Sequence, residues 1–169
     1  TPLGGLKASL MTATFGAFPG WRIACESDAE EAREIVPPTP FTPEDTAELY
    51  ADANESLPPK EAERYLLAWK ELGLRYVEEP LPVEEVEARR ALREKGILPL
   101  IADDAAMTPK DLRRELALNT FDVLNLKPAR TGVTWTLEML ALARERGKKA
   151  MVGSQAQSAF GAYQSALLA

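Results

Sequence analysis

From Leu49 to the end of the chain, short apolar runs alternate with segments whose apolar residues recur every three or four positions. The short runs are Leu49-Tyr50-Ala51, Leu74-Arg75-Tyr76-Val77, Ile97-Leu98-Pro99-Leu100-Ile101-Ala102, Val123-Leu124-Asn125-Leu126 and Ala150-Met151-Val152. The third is apolar throughout, as a strand buried on both faces is expected to be. The intervening segments read as helices. Ala62, Tyr65, Leu66, Trp69 and Leu72 follow a helical period behind Pro58-Pro59-Lys60-Glu61, and Gly73 ends the pattern. A second helix runs from about Val83 to Lys95 and stops at Gly96. A third starts with Thr108 as N-cap and Pro109 in its first turn, and carries Leu112, Leu116 and Leu118. A fourth spans about Trp135 to Arg146, before Gly147. Strand and helix in strict alternation predict an α/β fold with a parallel sheet and right-handed crossovers.

Residues 1–48 break this rhythm. Leu6 to Phe15 reads as a strand, Asp28 to Val36 as a short helix, and Pro37-Pro38-Thr39-Pro40-Phe41-Thr42-Pro43 as a stiff extended connection. Gly16 to Glu26 leaves little room for a full helix and strand. The expected organisation is therefore an N-terminal segment over 1–48 and a regular (β/α) segment over 49–169.

Each of four apolar runs stops at a polar landmark: Asp52, Glu78, Asp103 and Lys127, spaced roughly 25 residues apart, about the length of a strand, loop and helix. If each landmark closes a parallel strand, all four side chains arrive at one end of one sheet. Three carboxylates and an amine there make a site for a hard cation with a base beside it. Oxygen ligands suit Mg²⁺, with Mn²⁺ as the alternative. The absence of His excludes His-based triads, His-ligated zinc and a His general base.

Charge narrows the partners. The net charge of −6 is spread with acids and bases interspersed, unlike the clustered Lys and Arg of a nucleic-acid or anionic-membrane surface. No apolar run reaches the length of a membrane span, the first residues lack the pattern of a secretory signal, and the single Cys25 cannot form an internal disulfide. A cytoplasmic location and a small-molecule substrate are the expectations.

Blander roles compete for individual residues. A lone acid after a strand is commonly a helix cap, and Lys127 alone reads equally as a surface lysine before Pro128. Glu79, Glu84, Glu85 and Glu87 read as a solvated cluster at a helix start, where negative charge suits the helix dipole. Trp69 and Trp135 read as packing residues. Cys25 reads as a small apolar residue, with no His to activate it.

The ordered set Asp52-Ala53-Asn54, Glu78-Glu79-Pro80-Leu81-Pro82, Ala102-Asp103-Asp104, Asn125-Leu126-Lys127-Pro128-Ala129-Arg130-Thr131-Gly132 and Val152-Gly153-Ser154 resembles the enolase superfamily. The likeness is to its mandelate racemase/muconate-lactonizing subgroup, which includes muconate cycloisomerases, o-succinylbenzoate synthases and dipeptide epimerases. The resemblance implies a TIM-type parallel (β/α) barrel with its site at the C-terminal ends of the strands. It implies Asp52, Glu78 and Asp103 as Mg²⁺ ligands and Lys127 as acid/base, with proton abstraction next to a carboxylate through an enolate. Asn54, Asp104 and Ser154 fall at substrate-binding or supporting positions; Ser154 reads equally as a cap of the next helix. Pro2 to Gly5 and the strand after them look like the family's entry into its first barrel strand.

The chain departs from that pattern. The subgroup carries Lys-x-Lys at the end of the second strand, whereas here the stretch is Trp21-Arg22-Ile23-Ala24-Cys25-Glu26. Asp104 stands where the family usually has Glu. A (β/α)₈ barrel takes about 250 residues, and the family adds an N-terminal capping domain, so the expectation is a barrel that is incomplete or completed by another chain, as a homo-oligomer or a complementing subunit. Two readings follow: a lyase or isomerase, with o-succinylbenzoate synthesis favoured because dehydration tolerates a missing second base, or a non-catalytic barrel remnant that still binds metal.

Overall fold

In a computed structural model of the chain, which describes residues 9–14, 22–25, 47–155 and 158–168, the five apolar runs become neighbouring parallel strands. They are β3 (Ala47–Asp52), β4 (Tyr76–Glu78), β5 (Leu100–Ala102), β6 (Val123–Leu126) and β7 (Lys149–Val152), preceded by β1 (Ser9–Thr14) and β2 (Arg22–Cys25). The sheet order is β2-β1-β3-β4-β5-β6-β7. Helices α1 (Ala62–Glu71), α2 (Val86–Glu94), α3 (Pro109–Leu118) and α4 (Pro128–Glu145) fill the crossovers, and α5 (Ala159–Leu168) follows β7.

The N-terminal expectation is corrected. β1 exists, but it runs antiparallel to β3, with Ser9 opposite Asp52 and Thr14 opposite Ala47, so it does not enter as a parallel barrel strand. β2 pairs antiparallel with β1 at the edge of the sheet. Residues 15–21 between them are too few for a parallel crossover, which takes about a dozen residues or more. The short helix expected at Asp28 to Val36 and the Pro-rich connection lie outside the described residues.

Strand alternation sorts β3 to β7 into two faces. Ala51, Val77, Leu100, Ala102, Leu124 and Leu126 point toward the helices and join two buried clusters with Leu66, Trp69, Leu92, Leu112, Leu116 and Met139. The opposite face carries a smaller cluster of Tyr50, Ile101, Val123 and Met151, with Tyr76 packed against it. Both faces of the central strands are therefore apolar, which accounts for the unbroken run at Ile97–Ala102.

The helix stops fall at the expected glycines: Gly73, Gly96 and Gly147 adopt φ of 89°, 60° and 66°, a left-handed backbone that Gly enters without a Cβ penalty. Thr108 caps α3 by accepting from the Asp111 N–H at 3.2 Å, with Pro109 in the first turn. Three helical details differ from expectation. Leu72 lies past the end of α1 and is exposed, Leu118 is carried by α3 as expected but only half-buried, and Trp135 is 47% exposed rather than a packing residue. In α4 the chain turns at Pro128–Thr131, breaks at Gly132 (φ 70°, ψ 165°) and then continues as helix. Among the described residues no helix is long and apolar enough to cross a membrane.

Leu66 is fully buried between α1 and the sheet, whereas Leu72 is 69% exposed. Urea unfolding should show Leu66→Ala destabilised by about 2–5 kcal/mol and Leu72→Ala changed by no more than about 0.5 kcal/mol.

Candidate active site

The register of the parallel strands determines where the polar landmarks meet. Asp52 and Glu78 are direct partners across β3 and β4. Glu78 pairs with Ile101, so Asp103 lies one alternation further along β5. Ile101 pairs with Val123, which puts Asn125 level with Asp103 and Lys127 one alternation beyond. All are separated by even steps and therefore share a face, above the Tyr50, Ile101, Val123 and Met151 cluster.

The side chains form a chain of contacts. Asp52, Glu78 and Asp103 are 8%, 2% and 6% exposed, deep enough that their charges need partners. Lys127 Nζ donates to Asp103 Oδ2 and lies 3.9 Å from Glu78 Oε1. Arg130 Nη1 reaches Asp103 Oδ1 at 3.1 Å and Asp104 Oδ1 at 2.8 Å, and its Nε donates to Gln155 at 2.8 Å. The turn that brings Arg130 back over the strand ends is closed by its own N–H donating to the Lys127 carbonyl at 2.8 Å. Asn125 Nδ2 donates to Glu78 Oε1 at 2.6 Å.

Sequence expectation and structure agree unevenly at the supporting positions. Asn54 has an exposed side chain; its backbone N–H, in a left-handed conformation at φ 43°, donates to Asp52 Oδ1 at 3.0 Å. Asp104 is half-exposed and shares Arg130 with Asp103. Ser154 is exposed and does not cap the next helix: α5 begins at Ala159, where Ser158 Oγ accepts from the Gly161 N–H at 3.3 Å. Glu84, Glu85 and Glu87 are exposed as expected, but Glu79 is 3% exposed and belongs to the interior.

Asn125, Arg130 and Tyr50 were not predicted as site residues. Alternation from Lys127 back to Asn125 was a usable signal, since residues two apart on β6 share a face. Arg130 stood in the motif from Asn125 to Gly132 without a role of its own, because its reach depends on the turn after β6.

Electrostatics follow from burial. Glu78 is pushed up to about 8, first by desolvation and then by the Asp52 and Asp103 charges, against the Asn125 hydrogen bond and Lys127. Burial also raises Asp52, opposed by the Asn54 N–H and by Lys127. Tyr50, beneath the acids, is raised by burial and by Glu78, Asp52 and Asp103, which keeps its hydroxyl neutral.

Among the described residues no three acids stand close enough to form a ready cation cage, and Lys127 lies against two of the three. The donor chemistry nevertheless fits a hard divalent cation. Three buried carboxylates repel one another, and Asn125 Oδ1 is a buried acceptor without a hydrogen-bond partner. Gly153 packs against that amide so closely that a Cβ there would come within 2.2 Å of Asn125 Oδ1.

Residues 19–169 match the family described as Enolase C-terminal domain-like. The chain belongs to this family. It is 32% identical over 108 residues to an L-Ala-D/L-Glu epimerase from Clostridium acetobutylicum, covering 62% of this chain and 30% of that protein. It is 28% identical over 144 residues to an o-succinylbenzoate synthase from Geobacillus kaustophilus, covering 85% and 35%. Its fold matches the crystal structure of a dipeptide epimerase from Cytophaga hutchinsonii, complexed with Mg and D-Ala-L-Val, at a TM-score of 0.65 and 25% identity, covering 68% and 32%. The chain thus spans about a third of the length of the enolase-superfamily enzymes it matches. These likenesses bear out the enolase-superfamily reading and its parallel barrel architecture, of which this chain carries a part.

A pH dependence of stability follows from the acids. Glu78, at about 8, and Glu79, at about 7, hold protons in the folded state that the unfolded chain releases near its ordinary carboxylate range. The folded state then binds more protons, so stability falls as pH rises from about 5 to about 8. Thermal melts of the metal-free protein should show that fall, and Glu78→Gln should flatten it and melt higher than the parent at the alkaline end.

Proposed function

We propose that this chain carries the metal-and-base half of an active site that removes a proton from the carbon next to a substrate carboxylate. The observation that carries the reading is the placement of Asp52, Glu78, Asp103 and Lys127 on one face at consecutive parallel strand ends, with Lys127 in contact with two of the acids. Asp52, Glu78 and Asp103 would hold Mg²⁺, or Mn²⁺ in its place. The ion would supply positive charge against which a carboxylate becomes an enolate. Similarity to the dipeptide epimerase complexed with Mg supports this choice of cofactor.

The protein's own groups divide the remaining work. Lys127 Nζ takes the proton, being the one Lys amine described at these strand ends. Asn125 holds Glu78 through its 2.6 Å hydrogen bond and keeps the carboxylate turned toward the site. Arg130 shares Asp103 and Asp104, so that Asp103 keeps a partner when Lys127 swings to substrate. Tyr50, Ile101, Val123 and Met151 close the floor against water.

Single-base chemistry is favoured. The stretch that would hold a second lysine pair is β2, at the sheet edge and antiparallel to its neighbour, with no Lys in Arg22–Cys25. A dehydration of the o-succinylbenzoate type needs only one face of the substrate attended by a base, whereas epimerisation needs both. The substrate is accordingly a small carboxylate.

A second reading, a non-catalytic barrel remnant, has one observation in its favour: the Lys127–Asp103 contact closes the site as a structural ion pair. Proton exchange separates the two. In D₂O with Mg²⁺, the parent should exchange the α-proton of small carboxylates such as L-Ala-L-Glu or a succinylbenzoate precursor, followed by proton NMR. Lys127→Ala should lose at least about a hundredfold of that rate while keeping its Mg²⁺ affinity. Equal exchange in the variant would remove Lys127 from the mechanism, and no exchange in the parent would favour the remnant.

A further inference from the structure

Glu79 directly follows Glu78, yet its side chain serves a different part of the molecule. It is 3% exposed and adopts φ of 35°, a left-handed backbone that a non-glycine residue enters only when its surroundings hold it there. Its backbone continues the ladder past β4, donating from N–H to the Ile101 carbonyl at 3.1 Å and accepting from the Glu55 N–H at 2.7 Å. That turn sends the carboxylate sideways to the loop after β5. There Glu79 Oε2 accepts from the Ala105 N–H at 2.8 Å, with the Asp103 N–H also directed at the carboxylate. The loop that Glu79 grips is therefore the one that carries Asp103.

The grip is anchored from behind. Arg89 of α2, 3% exposed, lies 3.8 Å from Glu79 and 3.0 Å from Glu115 of α3. Glu115 is fully buried, accepts from the Thr120 hydroxyl and pairs with Arg114. Among the described residues this buried charge network crosses from β4 to two helices and makes no hydrogen bond or ion pair with Asp52, Glu78 or Lys127. Among the described residues it meets the Asp103 loop at both groups of the Ala105 backbone, Glu79 accepting from the N–H at 2.8 Å and Arg114 Nη2 donating to the carbonyl at 3.3 Å.

We propose that Glu79 is a positioning residue: it fixes the Asp103 loop relative to Glu78 and so sets how tightly the carboxylate trio takes a divalent cation. The inference rests on the metal reading above. Outer partners of ligating carboxylates act in this way, orienting the ligands so that less freedom is lost on binding.

Calorimetric titration of Mg²⁺ into the 169-residue chain tests it, beside Glu79→Gln, Glu79→Ala and Thr120→Val. Thr120→Val disturbs the same buried network at its far end, keeps side-chain shape, and removes no bond made by Glu79 or Arg114 to the Asp103 loop. Glu79→Gln should weaken Mg²⁺ binding by about tenfold or more, and Glu79→Ala further still. Thr120→Val should lower the melting temperature while keeping affinity within about twofold of the parent. Parental affinity in Glu79→Gln, or a loss in Thr120→Val matching its loss of stability as in the Glu79 variants, would overturn the positioning role. Absence of binding in the parent would instead overturn the metal reading on which the role rests.

Discussion

Burying three carboxyl groups at neighbouring strand ends is the constraint that organises this molecule. Each of Asp52, Glu78 and Asp103 loses hydration and gains repulsion from the others, and that cost is met only by what the surrounding elements deliver. Lys127 and Arg130 bring countercharge from the β6–α4 turn. Asn125 and the Asn54 N–H bring hydrogen bonds from β6 and from the loop after β3. Glu78 nevertheless stays raised to about 8, so the compensation is incomplete. A protein that needed only stability would do better with apolar residues there.

The parallel register makes this concentration of charge affordable in structural terms. Even steps along β3 to β6 keep every polar landmark on one face, while the odd positions build the helix-facing cores. A slip of one residue in β3 or β4 would turn Asp52 or Glu78 toward the helix layer, and in β6 it would put Leu124 or Leu126 where Asn125 stands. The large apolar clusters beneath α1 to α4 therefore hold the register, and the register holds the strand-end acids beside Lys127.

Much of this was legible in residue order alone. The apolar runs located β3 to β7, the terminal glycines located the helix ends, and the intervals between Asp52, Glu78, Asp103 and Lys127 placed those residues on one sheet edge. What was not legible depended on geometry that spacing does not encode. Glu79 read as solvated because it neighbours other acids, yet a left-handed backbone turns it inward to Ala105 and Arg89. Arg130 reaches Asp103 only because the chain doubles back after Lys127. Trp135, three residues past the break at Gly132, lies on the exposed side of α4. The antiparallel placement of β1 could have been anticipated in part, since the short span before β2 forbids a crossover.

The central claim is that the four strand ends still make one divalent-cation site. Calorimetric titration of Mg²⁺ into the parent and into the combined Asp52→Asn, Glu78→Gln, Asp103→Asn variant addresses it most directly. Saturable binding in the parent that disappears in the triple variant is the predicted result. Binding of equal strength in both, or none in the parent, would contradict the account and leave the strand-end acids as a structural network around Lys127.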